Sequence, residues 1–62
     1  MNEEELARIA GECGYKLVRV VRFPRRDRIV IADDNLTITL YLKCKIEDLT
    51  EDQAKEIFRK RR

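Results

Sequence analysis

The sequence predicts one α+β domain over residues 1–62, with the element order α-β-β-β-α, a three-stranded antiparallel meander and both helices on one face of the sheet. Apolar residues recur at helical spacing near both ends of the chain, and they alternate with polar residues over residues 36–46. Two helices with one narrow apolar stripe each pack most economically on a single apolar sheet face. A chain of 62 residues is long enough for one domain only.

The first helix is predicted over residues 3–13. Asn2 is placed to cap its N-terminus, and Glu5, three residues later, is placed to complete a capping box. Gly14 suits the left-handed conformation that commonly follows a helix end. The spacing of a single buried face is shared by Leu6, Ile9, Ala10 and Cys13.

The first strand is predicted over residues 15–23, which are rich in β-branched and aromatic residues. Its alternation is imperfect. One side of the strand would hold Leu17, Val21 and Phe23. The other side would hold Val18 and Val20. Pro24 ends the strand because proline has no N–H to donate to the ladder. After a short loop, the second strand is predicted at Arg28–Ala32.

The remaining elements are a third strand and a final helix. The strand is predicted over residues 36–46, after a turn at residues 33–35, and its strict alternation indicates one packed and one solvated face. Its apolar positions are Leu36, Ile38, Leu40, Leu42, Cys44 and Ile46. In the last helix, Thr50 and Gln53 are placed to form a second capping box. The inward positions of that helix are Ala54, Ile57 and Phe58.

The composition favours a highly charged globular protein. Charged residues make up 42% of the chain with a net charge of +2, and dense charge of both signs predicts a thermophilic source. No segment approaches the roughly 20 apolar residues of a membrane span. The acidic start of the chain is the opposite of the basic start of a signal peptide. We therefore expect a cytoplasmic protein with no membrane partner.

The sequence lacks residues that catalytic sites, phosphate-binding loops and metal sites usually need. The chain has no histidine, serine or tryptophan, and its glycines, Gly11 and Gly14, form no phosphate-binding loop. Two distant cysteines, Cys13 and Cys44, fall short of the roughly four ligands of a zinc site. They are predicted to be buried, reduced thiols, with a disulfide between first helix and third strand as the alternative. We expect no enzyme activity, no cofactor and no metal.

Positive charge is concentrated between residues 15 and 32, which hold six basic residues and one acid. Most of these are arginines near the tip of the first hairpin, and the planar fork of arginine suits phosphate groups. Tyr41 on the open sheet face offers a ring on which a base could stack. The sequence therefore predicts a small non-catalytic module that binds DNA or RNA through this hairpin and a basic C-terminal tail. Its predicted binding residues are Arg19, Arg22, Arg25, Arg26, Arg28, Tyr41, Lys43, Lys45, Arg59, Lys60, Arg61 and Arg62.

The same basic residues also suit roles that involve no nucleic acid. Charges on an edge strand prevent aggregation between sheets. The arginines could instead pair with acids of the first helix or with Asp33 and Asp34. The functional alternative is a protein-interaction module with an acidic partner, or a homodimer, that associates through its open sheet face or sheet edge.

Two resemblances to known families accompany these patterns. The order of a helix, three strands and a helix is similar to that of the double-stranded RNA-binding domain, which implies RNA as the partner. That family grips phosphates with a glycine- and lysine-rich start of its second helix, whereas residues 47–52 here are mostly acidic. The segment Gly14-Tyr15-Lys16-Leu17-Val18-Arg19 looks like the first strand of small toxin ribonucleases of the HicA type. The histidine that follows that strand in the family is missing, which implies a binding member without catalysis.

Overall fold

A computed structural model describes residues 1–59 and confirms the predicted order of two helices and three strands. The elements are α1 (Glu3–Glu12), β1 (Lys16–Val21), β2 (Arg28–Ala32), β3 (Thr37–Tyr41), a short 3₁₀ helix (Ile46–Asp48) and α2 (Glu51–Arg59). The strands pair antiparallel in the order β1-β2-β3, which is the predicted meander. No helix within residues 1–59 is long and apolar enough to cross a membrane.

Both helices pack on the same face of the sheet, as predicted. On β2, Ile29 and Ile31 are completely buried and belong to one cluster with residues of both helices. Helix α1 contributes Leu6 to this cluster, and α2 contributes Phe58, whose ring centroid lies 6.2 Å from that of Tyr15. Burying one such side chain contributes about 1.5–3 kcal/mol, so the cluster is the main source of stability.

The helix ends follow the local signals of the sequence. The Glu5 backbone N–H donates to the Asn2 side chain at 2.8 Å, which is half of the predicted capping box. The Glu5 side chain makes no return hydrogen bond to Asn2 within the described residues. At the start of α2, the Gln53 N–H donates to Thr50 Oγ1 at 3.2 Å and the Thr50 N–H donates to Gln53 Oε1 at 3.0 Å, which is a complete capping box. After α1, Gly14 adopts the predicted left-handed conformation with φ 90°.

The predicted two-sided pattern of β1 is wrong because the strand contains a β-bulge. The register shifts between Leu17 and Arg19, which leaves Val18 as an extra residue with 49% of its surface exposed. Residues before and after the bulge therefore follow different alternations. Leu17 and Val20 pack against the core, whereas Val21 lies on the opposite face of the sheet.

The third strand is shorter than predicted, since its ladder ends at Tyr41 rather than at Ile46. Beyond it, the Leu42 N–H donates to the Asp27 carbonyl at 3.1 Å, and the Asp27 N–H donates to the Cys44 carbonyl at 3.2 Å. The chain then bends into the 3₁₀ helix. The alternation predicted the burial of Leu42 and Ile46 correctly. It was wrong for Leu36, which precedes the strand and has 60% of its surface exposed.

The cysteines are free in the structure and form no disulfide. Cys13 follows α1 and Cys44 follows β3, and each packs at the margin of the core cluster. Both are half-buried, so they are less buried than the sequence suggested.

Candidate nucleic-acid interface

The face of the sheet opposite the helices, called here the open face, carries charged side chains of one sign only. Strand pairing places Lys16, Arg19 and Arg28 on it. Its other strand residues are Val21, Val30, Ala32, Thr37, Thr39 and Tyr41. None of these is acidic, whereas α1 and α2 on the other side hold most of the acidic residues of the chain. The molecule is therefore divided into a basic sheet side and an acidic helix side.

Arg28 is held between two aromatic rings at one end of the open face. Its Cζ lies 4.5 Å from the ring centroid of Phe23 and 4.7 Å from that of Tyr41, within the range of cation–π attraction. No carboxylate within residues 1–59 pairs with Arg28. The sequence predicted Arg28 and Tyr41 as site residues but missed Phe23, which lies just beyond the end of β1.

One buried carboxylate, that of Asp27, fixes the loop between β1 and β2. This side chain is fully buried. Lys45 Nζ donates to its Oδ1 at 2.8 Å, and Arg22 Nε lies 3.1 Å from the same oxygen. The Ile46 N–H donates to Oδ2 at 3.0 Å, and the Phe23 N–H donates to Oδ1 at 3.3 Å. Asp27 thus ties both ends of the loop to the start of the 3₁₀ helix.

Asp27 is ionised at neutral pH. Burial alone would raise its pKa, but the hydrogen bonds from Lys45 and from two backbone amides, together with the charge of Arg22, lower that pKa to about 2. Arg22 also donates to Glu47 Oε1 at 2.6 Å, and this hydrogen bond lowers the pKa of Glu47. Two of the cations predicted to contact nucleic acid, Arg22 and Lys45, are therefore paired with carboxylates of the protein itself.

We expect acid to lower the free energy of unfolding between about pH 4 and pH 2. The carboxyl of Asp27 has an ordinary pKa of 3.8, so it takes up a proton at higher pH in the unfolded chain than in the folded one. Its stabilising effect is therefore present above about pH 4 and is lost as the pH falls through the folded pKa. Urea unfolding at several pH values across this range measures the effect.

The control for this pH dependence is the variant Asp27→Asn, which cannot titrate at this position. Exposed Asp33, Glu47 and Glu51 also have lowered pKa values, from hydrogen bonds and ion pairs, and they titrate in both proteins. The variant should therefore lose less of its free energy of unfolding than the parent over the same pH range. An equal loss in the two proteins would contradict the assignment to Asp27.

Besides Arg28, three predicted arginines on the sheet side of the molecule have no carboxylate partner within residues 1–59. Arg19 lies on the open face, and Arg25 and Arg26 lie in the loop that leads to Arg28. All three are exposed. They remain available to an external anion, unlike Arg22 and Lys45.

The other predicted residues are placed less favourably. Lys43 is exposed at the bend after β3, beyond the ladder that defines the open face. Arg59 is exposed at the end of α2, a helix of the layer that covers the opposite sheet face. The last three predicted residues lie outside the described part of the chain: Lys60, Arg61 and Arg62. The described candidate site therefore consists of the open face and the loop of residues 22–27.

No group of three or more histidine, cysteine, aspartate or glutamate side chains within residues 1–59 could hold a metal ion. Comparison of the chain with protein-family models, with curated proteins and with solved structures found no match. The resemblances to the double-stranded RNA-binding domain and to small toxin ribonucleases therefore remain expectations from the sequence.

Proposed function

We propose that the protein is a non-catalytic nucleic-acid-binding module that contacts its ligand with the open face and with the loop between β1 and β2. One observation carries this proposal: the cations of Arg19, Arg25 and Arg26 are exposed without a carboxylate partner, beside a sheet face that has no acidic strand residue. An unpaired guanidinium suits phosphate because its fork can donate two parallel hydrogen bonds.

The distribution of charge supports the same orientation of the ligand. The first turn of α1 carries Glu3, Glu4 and Glu5, and the first turn of α2 carries Glu51 and Asp52. These acids repel a phosphate backbone from the helix side. The basic sheet side attracts it, and neutralising its phosphates releases counterions, which favours binding at low salt.

The paired cations have a different role in this proposal. Arg22 and Lys45 hold Asp27, and Asp27 in turn holds the backbone at Phe23 and Ile46. A loop fixed in this way loses less conformational entropy when a ligand binds it. Arg22 and Lys45 therefore act as positioning residues for the arginines of the loop, rather than as phosphate contacts.

The test is an anisotropy titration of labelled mixed-sequence DNA and RNA, single-stranded and duplex, at about 50 mM and about 200 mM salt. We expect binding at the lower salt concentration that weakens steeply at the higher one. Absence of binding to every one of these oligonucleotides at low salt would overturn the proposal. An affinity that is the same at both salt concentrations would also count against phosphate contacts.

A second candidate function is association with another protein through the edge of β3. The outer edge of β1 is interrupted by its bulge, whereas the β3 edge adjoins a groove of about 590 Å³ with Leu42, Leu49 and Ile57 in its lining. An extended partner segment could pair with β3 and place apolar side chains in this groove. Sedimentation of the same samples separates the two candidates, since a dimer that binds no oligonucleotide would favour this one.

A further inference from the structure

We infer that the ligand of the open face is a single-stranded nucleic acid, one of whose bases stacks on the ring of Tyr41; this inference rests on the proposed function. Tyr41 lies at the outer strand of the sheet and has 68% of its surface exposed. It is the most exposed of the large apolar and aromatic side chains within residues 1–59. The faces of bases in a duplex are covered by their neighbours, so only an unpaired strand can offer a base to this ring.

The neighbouring Arg28 is arranged for the same ligand. Its guanidinium lies over the rings of both Phe23 and Tyr41, with Cζ at 4.5 Å and 4.7 Å from the two centroids. No carboxylate within the described residues accepts a hydrogen bond from the N–H groups of Arg28. Cation–π contact leaves the N–H groups of a guanidinium free to donate, so they can bind a phosphate or the edge of a base beside the ring.

The rest of the open face is compatible with a strand lying across it. Arg19 on β1 and Thr39 on β3 flank Val30 of the central strand in the same row of the sheet. Arg19 supplies a second cation one row away from Arg28, and Thr39 supplies a hydroxyl. A positively charged surface with an aromatic ring is the general arrangement by which proteins bind single strands without sequence preference.

A duplex fits the molecule less well. Duplex binding needs phosphate contacts spread over a rigid backbone, which extends past the narrow three-stranded sheet. The segment that precedes α2 and its first turn carry Glu47, Asp48, Glu51 and Asp52. Of these, Glu47 pairs with Arg22, so at least one of these acidic side chains lies beside the basic loop. A flexible single strand can avoid them, whereas a duplex of the same charge has less freedom to do so.

The experiment compares three probes of about ten nucleotides, a length within the usual site sizes of single-strand binders. They are a single strand, a duplex of the same sequence, and a single strand of abasic spacers that keeps the phosphates without the bases. Each is titrated against the parent protein, Tyr41→Ala and Tyr41→Phe, at one low salt concentration. The Phe variant is the matched control, because it keeps a ring for stacking and loses only the hydroxyl.

We expect the single strand to bind more tightly than the duplex or the abasic strand. Tyr41→Ala should weaken binding of the single strand by about fivefold or more, the usual effect of losing one stacked base, and leave the abasic strand unaffected. Tyr41→Phe should bind like the parent. The abasic comparison uses the parent protein alone, so it stands even if the Ala variant folds poorly.

The outcomes separate this inference from the proposed function. If the duplex or the abasic strand binds the parent as tightly as the single strand does, base stacking on Tyr41 is overturned and phosphate binding stands. The same conclusion follows if folded Tyr41→Ala binds the single strand like the parent. If none of the probes binds, the proposed function fails and this inference fails with it.

Discussion

Replacing Asp27 with alanine is expected to lower the free energy of unfolding by about 3–5 kcal/mol, the typical cost of removing one partner from a buried ion pair. The carboxylate accepts hydrogen bonds from the Ile46 and Phe23 amides and binds Lys45 and Arg22. Without it, the buried Ile46 N–H has no acceptor, and the half-buried ammonium of Lys45 loses its counter-charge. Both losses destabilise the same corner of the fold.

A loss of about 3–5 kcal/mol would be a large part of the protein's whole free energy of unfolding, at about 0.05–0.15 kcal/mol per residue. A chain of 62 residues has a free energy of unfolding of about 3–9 kcal/mol at ordinary values per residue. Thermal unfolding followed by circular dichroism should therefore show a Tm lower by about 15 °C or more, or a chain that is already partly unfolded at about 25 °C.

Asp34→Ala is the matched control for this prediction. Asp34 is exposed in the turn between β2 and β3, and its side chain makes no hydrogen bond or ion pair within the described part of the chain. Its replacement should change the free energy of unfolding by no more than about 0.5 kcal/mol. The role assigned to Asp27 is wrong if Asp27→Ala and Asp34→Ala unfold at the same temperature.

The burial of Asp27 could not be predicted from the sequence, where it reads as one acid among the arginines of a loop. Its partners Lys45 and Ile46 lie 18 and 19 residues further along the chain. They reach it only because the chain bends after β3 and enters the 3₁₀ helix. One feature of the sequence did point to this pairing: Asp27 is a lone carboxylate in a strongly basic loop. Such a group can pair with several cations at once.

The order of the elements could be predicted because each helix and strand buries one face. The buried face determines the spacing of the apolar residues along the sequence. The predicted bounds of β2 match the structure for this reason. Strand ends are set instead by the partner strand. The alternation of residues 36–46 continues past Tyr41, but the regular β2–β3 ladder does not. The bulge at Val18 likewise depends on pairing with β2, so it left only an irregular alternation in the sequence.

The sequence predicted the candidate site as a group of basic residues. The structure separates those that pair with carboxylates of the protein from those that do not. Arginines in one short loop look alike in sequence, yet Arg22 is bound to carboxylates whereas Arg25 and Arg26 are not. The difference arises because Glu47 and Asp27 lie within reach of one guanidinium only. Phe23 was missed because its contact with Arg28 crosses the hairpin, and pairing of that kind becomes visible only when the register of the strands is known.

This division of the arginines predicts a large difference between two variants with the same net charge. Arg25→Gln with Arg26→Gln removes two unpaired cations from the loop, whereas Arg8→Gln with Lys55→Gln removes two cations already paired with acids on the helix side. The loop variant should bind single-stranded nucleic acid about tenfold more weakly or worse at low salt, because two phosphate contacts are lost. The helix-side variant should bind like the parent.

The salt dependence decides whether the lost interaction is a phosphate contact. Each phosphate neutralised on a single strand adds about 0.7 to the slope of log K against log salt. The slope of the variant lacking Arg25 and Arg26 should therefore be shallower than that of the parent by about 1.4, whereas the variant lacking Arg8 and Lys55 should keep the parent slope. Equal losses of affinity in both variants would mean that net charge alone attracts the ligand. The basic loop would then have no specific part in binding.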